Sequence, residues 1–255
     1  MRIEDHRLIY RAALERDYEA VLFDLDGVLT STAALHAGCW KQVFDDVLAD
    51  WAQRTGMPQR PFDGGRDYVA HVDGKARSDG VRDFLRSRGI AVPEGHPDSP
   101  PDEWSVHGIG NRKQLLVEQA LASEPIEAFA GSVRLVNRLR AAGVRTAVVS
   151  SSANCDDVLE AAGIADLFEL TVDGNDIAEL GLQGKPAPDA FLEGARRLAV
   201  LPPYAVVVED AVAGVAAGRA GGFGLVIGVA RNATRAELLP AGADVVVDDL
   251  AELAR

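Results

Sequence analysis

The segment Ala20-Val-Leu-Phe-Asp24-Leu-Asp26-Gly-Val-Leu-Thr30 changes character in its middle. Val21, Leu22 and Phe23 are a short apolar run, the pattern of a strand buried in a parallel sheet. The run stops at two carboxylates one residue apart, and Gly27 suggests that the chain is already turning. Carboxylates at the carboxyl end of a parallel strand sit where open α/β sheets bind their ligands. Two like charges so close need a cation or a shared proton. A hard divalent ion with oxygen ligands, such as magnesium, meets that need. Taken alone, Asp24 and Asp26 could equally end a strand and begin a turn, as Asp often does. Three later segments tip the balance.

Upstream, Met1 to Glu19 is charged and helix-permissive, with Leu8, Ile9, Ala12 and Ala13 on one side; it predicts a short helix packed on the core. Downstream, Leu35, Cys39, Trp40, Val43, Phe44, Val47, Leu48 and Trp51 recur at three- and four-residue steps. That spacing predicts a long amphipathic helix, closed near Gly56 and Pro58. Pro58 to Gly74 reads as turns. Ser78 to Arg88 predicts a helix with Val81, Phe84 and Leu85 on one face and Gly89 as its stop. Ala91 to Trp104 reads as a loop and Asn111 to Ala122 as a helix. No strand pattern lies between residues 31 and 125, so a helical block is inserted after the first strand. Its connections fall near Ser31 to Ala33 and Ser123 to Gly131.

From Ser132 the strand–helix rhythm returns. Ser132 can cap a helix running to Ala142. Strands are expected at Val144 to Val149, Phe168 to Val172, Tyr204 to Val208, Leu225 to Val229 and Asp244 to Val247. Helices are expected at Asp156 to Ala162, about Ala190 to Leu198, and Val212 to Ala220, with a loop at Asp173 to Asp176. The alternation predicts an α/β fold, a doubly wound parallel sheet. Residues 1–31 and 126–255 form its core and residues 32–125 an α-helical cap.

The chain has 255 residues, 47% of them hydrophobic, which is a globular composition. Its formal net charge of −13 argues against nucleic acid or an anionic membrane as partner. Cys39 and Cys155 have no metal-ligand spacing and read as reduced, buried thiols of a cytoplasmic protein. No secretory signal or membrane span is visible, and a monomer is favoured over an oligomer.

Each of the three further segments follows an apolar strand, so a parallel sheet can bring them to one edge beside Asp24 and Asp26. Ser150 to Asn154 offers hydroxyls and backbone N–H groups near a helix start, which suits a phosphate. Lys185 is a cation in acidic surroundings, followed by Pro186. Glu209 and Asp210 are paired carboxylates at a strand end. Nucleophile, acid/base, metal ligands and phosphoryl-oxygen donors are the parts that phosphoryl transfer requires.

In Asp24-Leu-Asp26-Gly-Val, Ser150, Lys185 of Gly-Lys-Pro-Ala-Pro-Asp and Glu209-Asp210, the chain resembles the haloacid dehalogenase superfamily of phosphotransferases. The resemblance covers about residue 20 to residue 230 and is nearest to the β-phosphoglucomutase group. His36 and Trp40 follow the first motif at that group's spacing. Arg77 falls at its substrate-phosphate arginine, Lys113 at a cap lysine, and Ser150-Ser151-Ser152-Ala153-Asn154 on its phosphate loop. Ser31 and Ala153 replace an Asp and a Lys of the group, and the cap is longer at Pro58 to Gly74 and Ala91 to Trp104. The resemblance implies Asp24 as nucleophile and Asp26 as general acid/base. It implies Lys185 and Ser150 on the transferring phosphoryl group. Magnesium would be held by Asp24, the Asp26 backbone carbonyl, Glu209 and Asp210. His36, Trp40, Arg77, Lys113, Ser151, Ser152 and Asn154 would surround a small phosphorylated sugar. The implied reaction converts β-glucose 1-phosphate to glucose 6-phosphate through the 1,6-bisphosphate. A phosphatase on a small phosphorylated metabolite is the alternative, and a non-catalytic regulatory protein on the same fold a remote third.

Overall fold

The computed structural model describes residues 18–123 and 125–254. In chain order the elements are β1 (Ala20–Phe23), α1 (Ala33–Thr55), α2 (Arg66–His71), α3 (Arg77–Ser87), α4 (Val106–Ser123), α5 (Ala130–Ala141), β2 (Arg145–Val149), α6 (Cys155–Ala161), β3 (Leu170–Val172), α7 (Gly174–Glu179), α8 (Asp189–Arg197), β4 (Ala205–Glu209), α9 (Val212–Ala220), β5 (Leu225–Val229), α10 (Arg235–Ala241) and β6 (Val245–Val247). The helix expected over Met1 to Glu19 lies outside the described residues, except for Tyr18 and Glu19, which are not helical.

The strands form one six-stranded sheet in the order β3-β2-β1-β4-β5-β6. Every neighbouring pair is parallel. From β1 the chain steps outward through β2 and β3, then crosses back to β4 on the other side of β1. That reversal opens a crevice at the carboxyl ends of β1 and β4, the place where such sheets bind ligands.

Period-two alternation sorts the strand residues onto two faces. Ala20, Leu22, Ala147, Val149 and Val207 pack under α8 and α9, against Phe191, Ala195, Val215 and Ala217. Val21, Phe23, Val148, Val206 and Val208 pack on the opposite face under α5 and α6, against Leu135, Val136, Val158 and Leu159. Burial on both faces is why these strands read as unbroken apolar runs.

Between β1 and α5 the chain makes a helical block with an apolar core of its own, drawn from Trp40 to Ile109. Trp40 stacks on Phe44 with ring centroids 4.9 Å apart, and Phe44 lies 4.1 Å from Phe84. The two connections run side by side. The Ser31 N–H donates to Glu127 O at 3.0 Å, and the Phe129 N–H to Leu29 O at 2.9 Å.

The structure departs from the sequence expectations in five places. The Pro58 to Gly74 segment holds α2, entered through the Asp63 carboxylate, which accepts from the Gly65 and Arg66 N–H groups. α4 begins at Val106 rather than Asn111, because Gly108 and Gly110 in its first turns hide the helical signal. Ser132 is not a cap: it lies inside α5 and its hydroxyl donates to Val28 O at 2.6 Å, tying the helix to the turn after β1. Asp173 to Asp176 is not a loop, since Asp173 and Asp176 form a reciprocal capping box that starts α7. α10 was not foreseen, because Pro240 inside it reads as a breaker.

Candidate active site

Asp24 leaves β1 with its N–H bonded to Val208 O of β4 at 2.9 Å, which sets it beside Glu209. Lys185 reaches the same place from the turn between α7 and α8. Its ammonium donates to Asp24 Oδ1 at 2.6 Å, to Glu209 Oε1 at 2.8 Å and to Val149 O at 3.1 Å. Lys185 is only 1% exposed. Burial pushes its pKa down, but Asp24 and Glu209 push it further up, so the ammonium keeps its proton.

Glu209 ends β4, and its other oxygen accepts from the Ala211 N–H at 2.8 Å. Oxygens of Asp24, Glu209 and Asp210 lie within 4.8 Å of one another, all buried. Burial raises the pKa of Asp24, with Lys185 opposing and the Glu209 and Asp26 charges adding to the rise. Burial raises that of Asp210 as well, helped by the charges of Asp73, Glu209 and Asp24. Buried carboxylate oxygens crowded in this way fit a hard divalent cation, which would relieve their repulsion. Gly27 is what lets Asp210 in: it has φ +84°, and a Cβ there would stand 2.0 Å from Asp210 Oδ2.

Asp26 contributes no oxygen to that cluster. Its Oδ1 accepts a short hydrogen bond from the Thr32 hydroxyl, which is also paired with the Thr30 hydroxyl at 2.8 Å. His36 Nε2 is 3.4 Å from the same Asp26 oxygen but without hydrogen-bond alignment. Its Nδ1 is 2.7 Å from Lys113 Nζ. Burial, with the Lys113 charge adding, lowers His36 to about 4, and burial lowers Lys113 to about 8. At neutral pH Lys113 therefore donates to a neutral His36, which places the ring proton on Nε2, facing Asp26. Lys113 also stands 5.2 Å from the centre of the Trp40 ring.

On the other side, Ser150 is folded into its own loop, its hydroxyl accepting from the Ser152 N–H at 3.0 Å. Ser151 donates to Gly74 O at 2.9 Å, joining that loop to the helical block. Arg77 donates to Gln114 Oε1 at 2.6 Å and to Asn111 Oδ1 at 3.3 Å, both neutral amides. Gln114 in turn donates to Asn154 Oδ1 at 2.6 Å. Asp24, Asp26, His36, Trp40, Arg77, Lys113, Ser151, Ser152 and Asp210 all line one cavity of about 630 Å³. Ser150, Asn154, Lys185 and Glu209 are buried and do not line it.

The sequence model of the haloacid dehalogenase-like hydrolases matches residues 18–222, which include every one of these side chains. The chain belongs to the haloacid dehalogenase-like hydrolase family. Over 243 residues it is 50% identical to the β-phosphoglucomutase of Mycobacterium tuberculosis, covering 94% of this chain and 93% of that one. Among solved structures it is similar in fold to a β-phosphoglucomutase from Clostridium difficile, with TM-score 0.71, 24% identity and coverage of 92% and 93%. It is also similar to CbbY from Rhodobacter sphaeroides in complex with xylulose-(1,5)bisphosphate, with TM-score 0.68, 25% identity and coverage of 92% and 96%.

In this haloacid dehalogenase-like chain four residues at the site escaped sequence reasoning. Thr32 binds Asp26, and Asn111 and Gln114 hold Arg77. The position of Gln114 beside Lys113 was the one available hint. Asp73 lines the cavity from the segment before α3 and is 6% exposed. Burial and the Glu209 charge push it up to about 7, against a hydrogen bond from the Tyr68 hydroxyl. It lies between elements, where no periodic pattern marks a buried position.

Proposed function

We propose that this chain is a magnesium-dependent phosphoryl-transfer enzyme that converts β-glucose 1-phosphate to glucose 6-phosphate through the 1,6-bisphosphate. Residues 1–31 and 126–255 act as the catalytic core and residues 32–125 as a cap that closes on it. The observation that carries this reading is a single cavity lined by both Asp24 and Arg77. Asp24 and Arg77 share that space, and the Arg77 guanidinium, hydrogen-bonded to neutral amides with the Glu118 carboxylate nearby, suits a second phosphate. A hydrolase of simple phosphate esters has no need of that cation. The identity to the mycobacterial β-phosphoglucomutase supports the same assignment.

In the first half-reaction an Asp24 carboxylate oxygen attacks the phosphorus of the sugar bisphosphate. The P–O bond to the sugar breaks as the Asp24 O–P bond forms, and Asp26 gives its proton to the leaving oxygen. In the second half a hydroxyl of the sugar monophosphate loses its proton to Asp26 and attacks the phosphorus of the aspartyl-phosphate, releasing Asp24. Thr32 orients the Asp26 carboxylate, with the His36 ring 3.4 Å from it, and Lys185 and the Ser150 loop position Asp24 and the phosphoryl oxygens. Magnesium, held by Asp24, Asp210, the Asp26 backbone carbonyl and Glu209, would neutralise charge between two anionic reactants. The closed cap keeps water from the aspartyl-phosphate. A cytoplasmic monomer is part of the same proposal, and among the described residues no helix is long and apolar enough to cross a membrane.

The test follows two products in one reaction of β-glucose 1-phosphate with magnesium and a trace of glucose 1,6-bisphosphate. Glucose 6-phosphate is expected to form faster than inorganic phosphate appears. Phosphate release that equals or exceeds it would make the enzyme a phosphatase.

A further inference from the structure

Asp73 is a buried carboxylate with work left undone. Its Oδ2 is shielded from solvent and has no hydrogen-bond partner. A buried carboxylate oxygen left bare is costly, because nothing replaces the water it has lost. Its place is fixed by the residue that follows. Gly74, at φ +70°, packs so tightly on the core that a Cβ there would stand 2.7 Å from the Ala211 Cβ. The Gly74 carbonyl is also held by Ser151. This contact joins the chain neighbours of Asp73 and Asp210, and the two carboxylates line the same cavity. Of the charges around Asp210, that of Asp73 bears on it most, ahead of Glu209 and Asp24.

Lys185 pairs with Asp24 and Glu209, but none of its hydrogen bonds reaches Asp210. Without a dication, closing the cap would set a further carboxylate against Asp210, at the very spot where an anionic substrate must bind. With a dication it makes sense. Asp73 is not one of the residues whose oxygens approach within 4.8 Å of one another, so it stands outside the set that would ligate directly. A carboxylate just beyond direct reach is suited to accept from a water bound to the ion.

We infer that Asp73 is a positioning residue for the metal: carried on the cap, it accepts a hydrogen bond from a magnesium-bound water and so couples cap closure to metal occupancy. The coupling is reciprocal, since whatever favours the closed cap also tightens the metal. This inference rests on the magnesium proposed above.

The experiment is calorimetric titration of magnesium chloride alone into the full chain, wild type and Asp73→Asn, with melting temperatures taken in chelator. Asp73→Asn is expected to weaken magnesium binding by about 10- to 100-fold, the usual cost of losing an outer-shell partner. The same variant should melt higher than wild type in chelator, since it removes an uncompensated buried charge. Asp73→Ala should weaken magnesium in the same way and controls for an adaptable amide. Unchanged magnesium affinity in both variants overturns the inference and leaves the phosphoryl-transfer reading intact. A lower melting temperature with unchanged affinity assigns Asp73 to holding Tyr68 only, which also overturns it. Failure of the wild type to bind magnesium overturns it together with the proposed metal dependence.

Discussion

Lys113 and Lys185 are both buried lysines, yet their surroundings drive them in opposite directions. Lys185 meets two carboxylates at hydrogen-bond distance and holds its proton more tightly than a lysine in water. Lys113 meets a neutral imidazole and an aromatic ring, and burial pulls it down to about 8. A lysine is charged below its pKa, so Lys113 loses its charge as the pH rises through about 8. The kcat/KM for β-glucose 1-phosphate, which reports the free enzyme, is therefore expected to fall with a midpoint near that pH. Lys113→Arg should remove this alkaline limb, because a guanidinium does not titrate there. An identical limb in the variant would assign it to another group. The sequence separates the two lysines by motif but does not foretell these opposite shifts. Each follows a Gly or an Arg in a polar setting, and only their folded neighbours set the direction.

The segment between α2 and α3 shows how a short connector can govern a lid. Gly74 lets the cap lie directly on the start of α9, with Ala211 and Gly214 as its neighbours. A side chain there would suffer both the left-handed backbone, at roughly 1–2 kcal/mol, and the collision with Ala211. Gly74→Ala is expected to lower kcat/KM by about tenfold, the equivalent of that strain, by holding the cap off the core. Adding Ala211→Gly should restore part of the loss. No rescue, with both proteins equally folded by circular dichroism, would mean that this contact does not limit closure. The same connector explains a sequence-level miss. α2 spans six residues, fewer than two turns, so no amphipathic period can appear in it. The 23 residues of α1 repeat their apolar stripe many times and were legible throughout.

In the proposed reading, the acidic chain meets an anionic substrate with a few cations gathered around one cavity. Lys113 and Arg77, from α4 and α3, line the cavity that Asp24 also lines, and Lys185, from the turn before α8, pairs with Asp24 directly. The proposed dication would sit among Asp24, Glu209 and Asp210, whose oxygens lie within 4.8 Å of one another. Activity is expected to vanish in excess chelator and to return with magnesium. Calcium should occupy the site without restoring turnover, because its larger coordination number and looser geometry misplace the nucleophile. Undiminished turnover in chelator would contradict the metal dependence.

Local pattern carried most of the architecture. β1, β2, β4 and β5 fall within a residue of their apolar runs, and the carboxylates at the ends of β1 and β4 stand where the runs stop. That is because burial on both sheet faces writes itself directly into neighbouring residues. The convergence of Asp24, Glu209 and Asp210 could be expected from strand ends, since parallel strands share an edge, whereas Lys185 comes from a turn between two helices. Strand order, the pairing of Lys185 with a carboxylate 161 residues away, and the approach of Asp73 to Asp210 could not be read there. Each of these depends on where the chain crosses back and how far the cap closes. Such contacts join groups remote in sequence, and no local period records which distant partner a buried charge will meet.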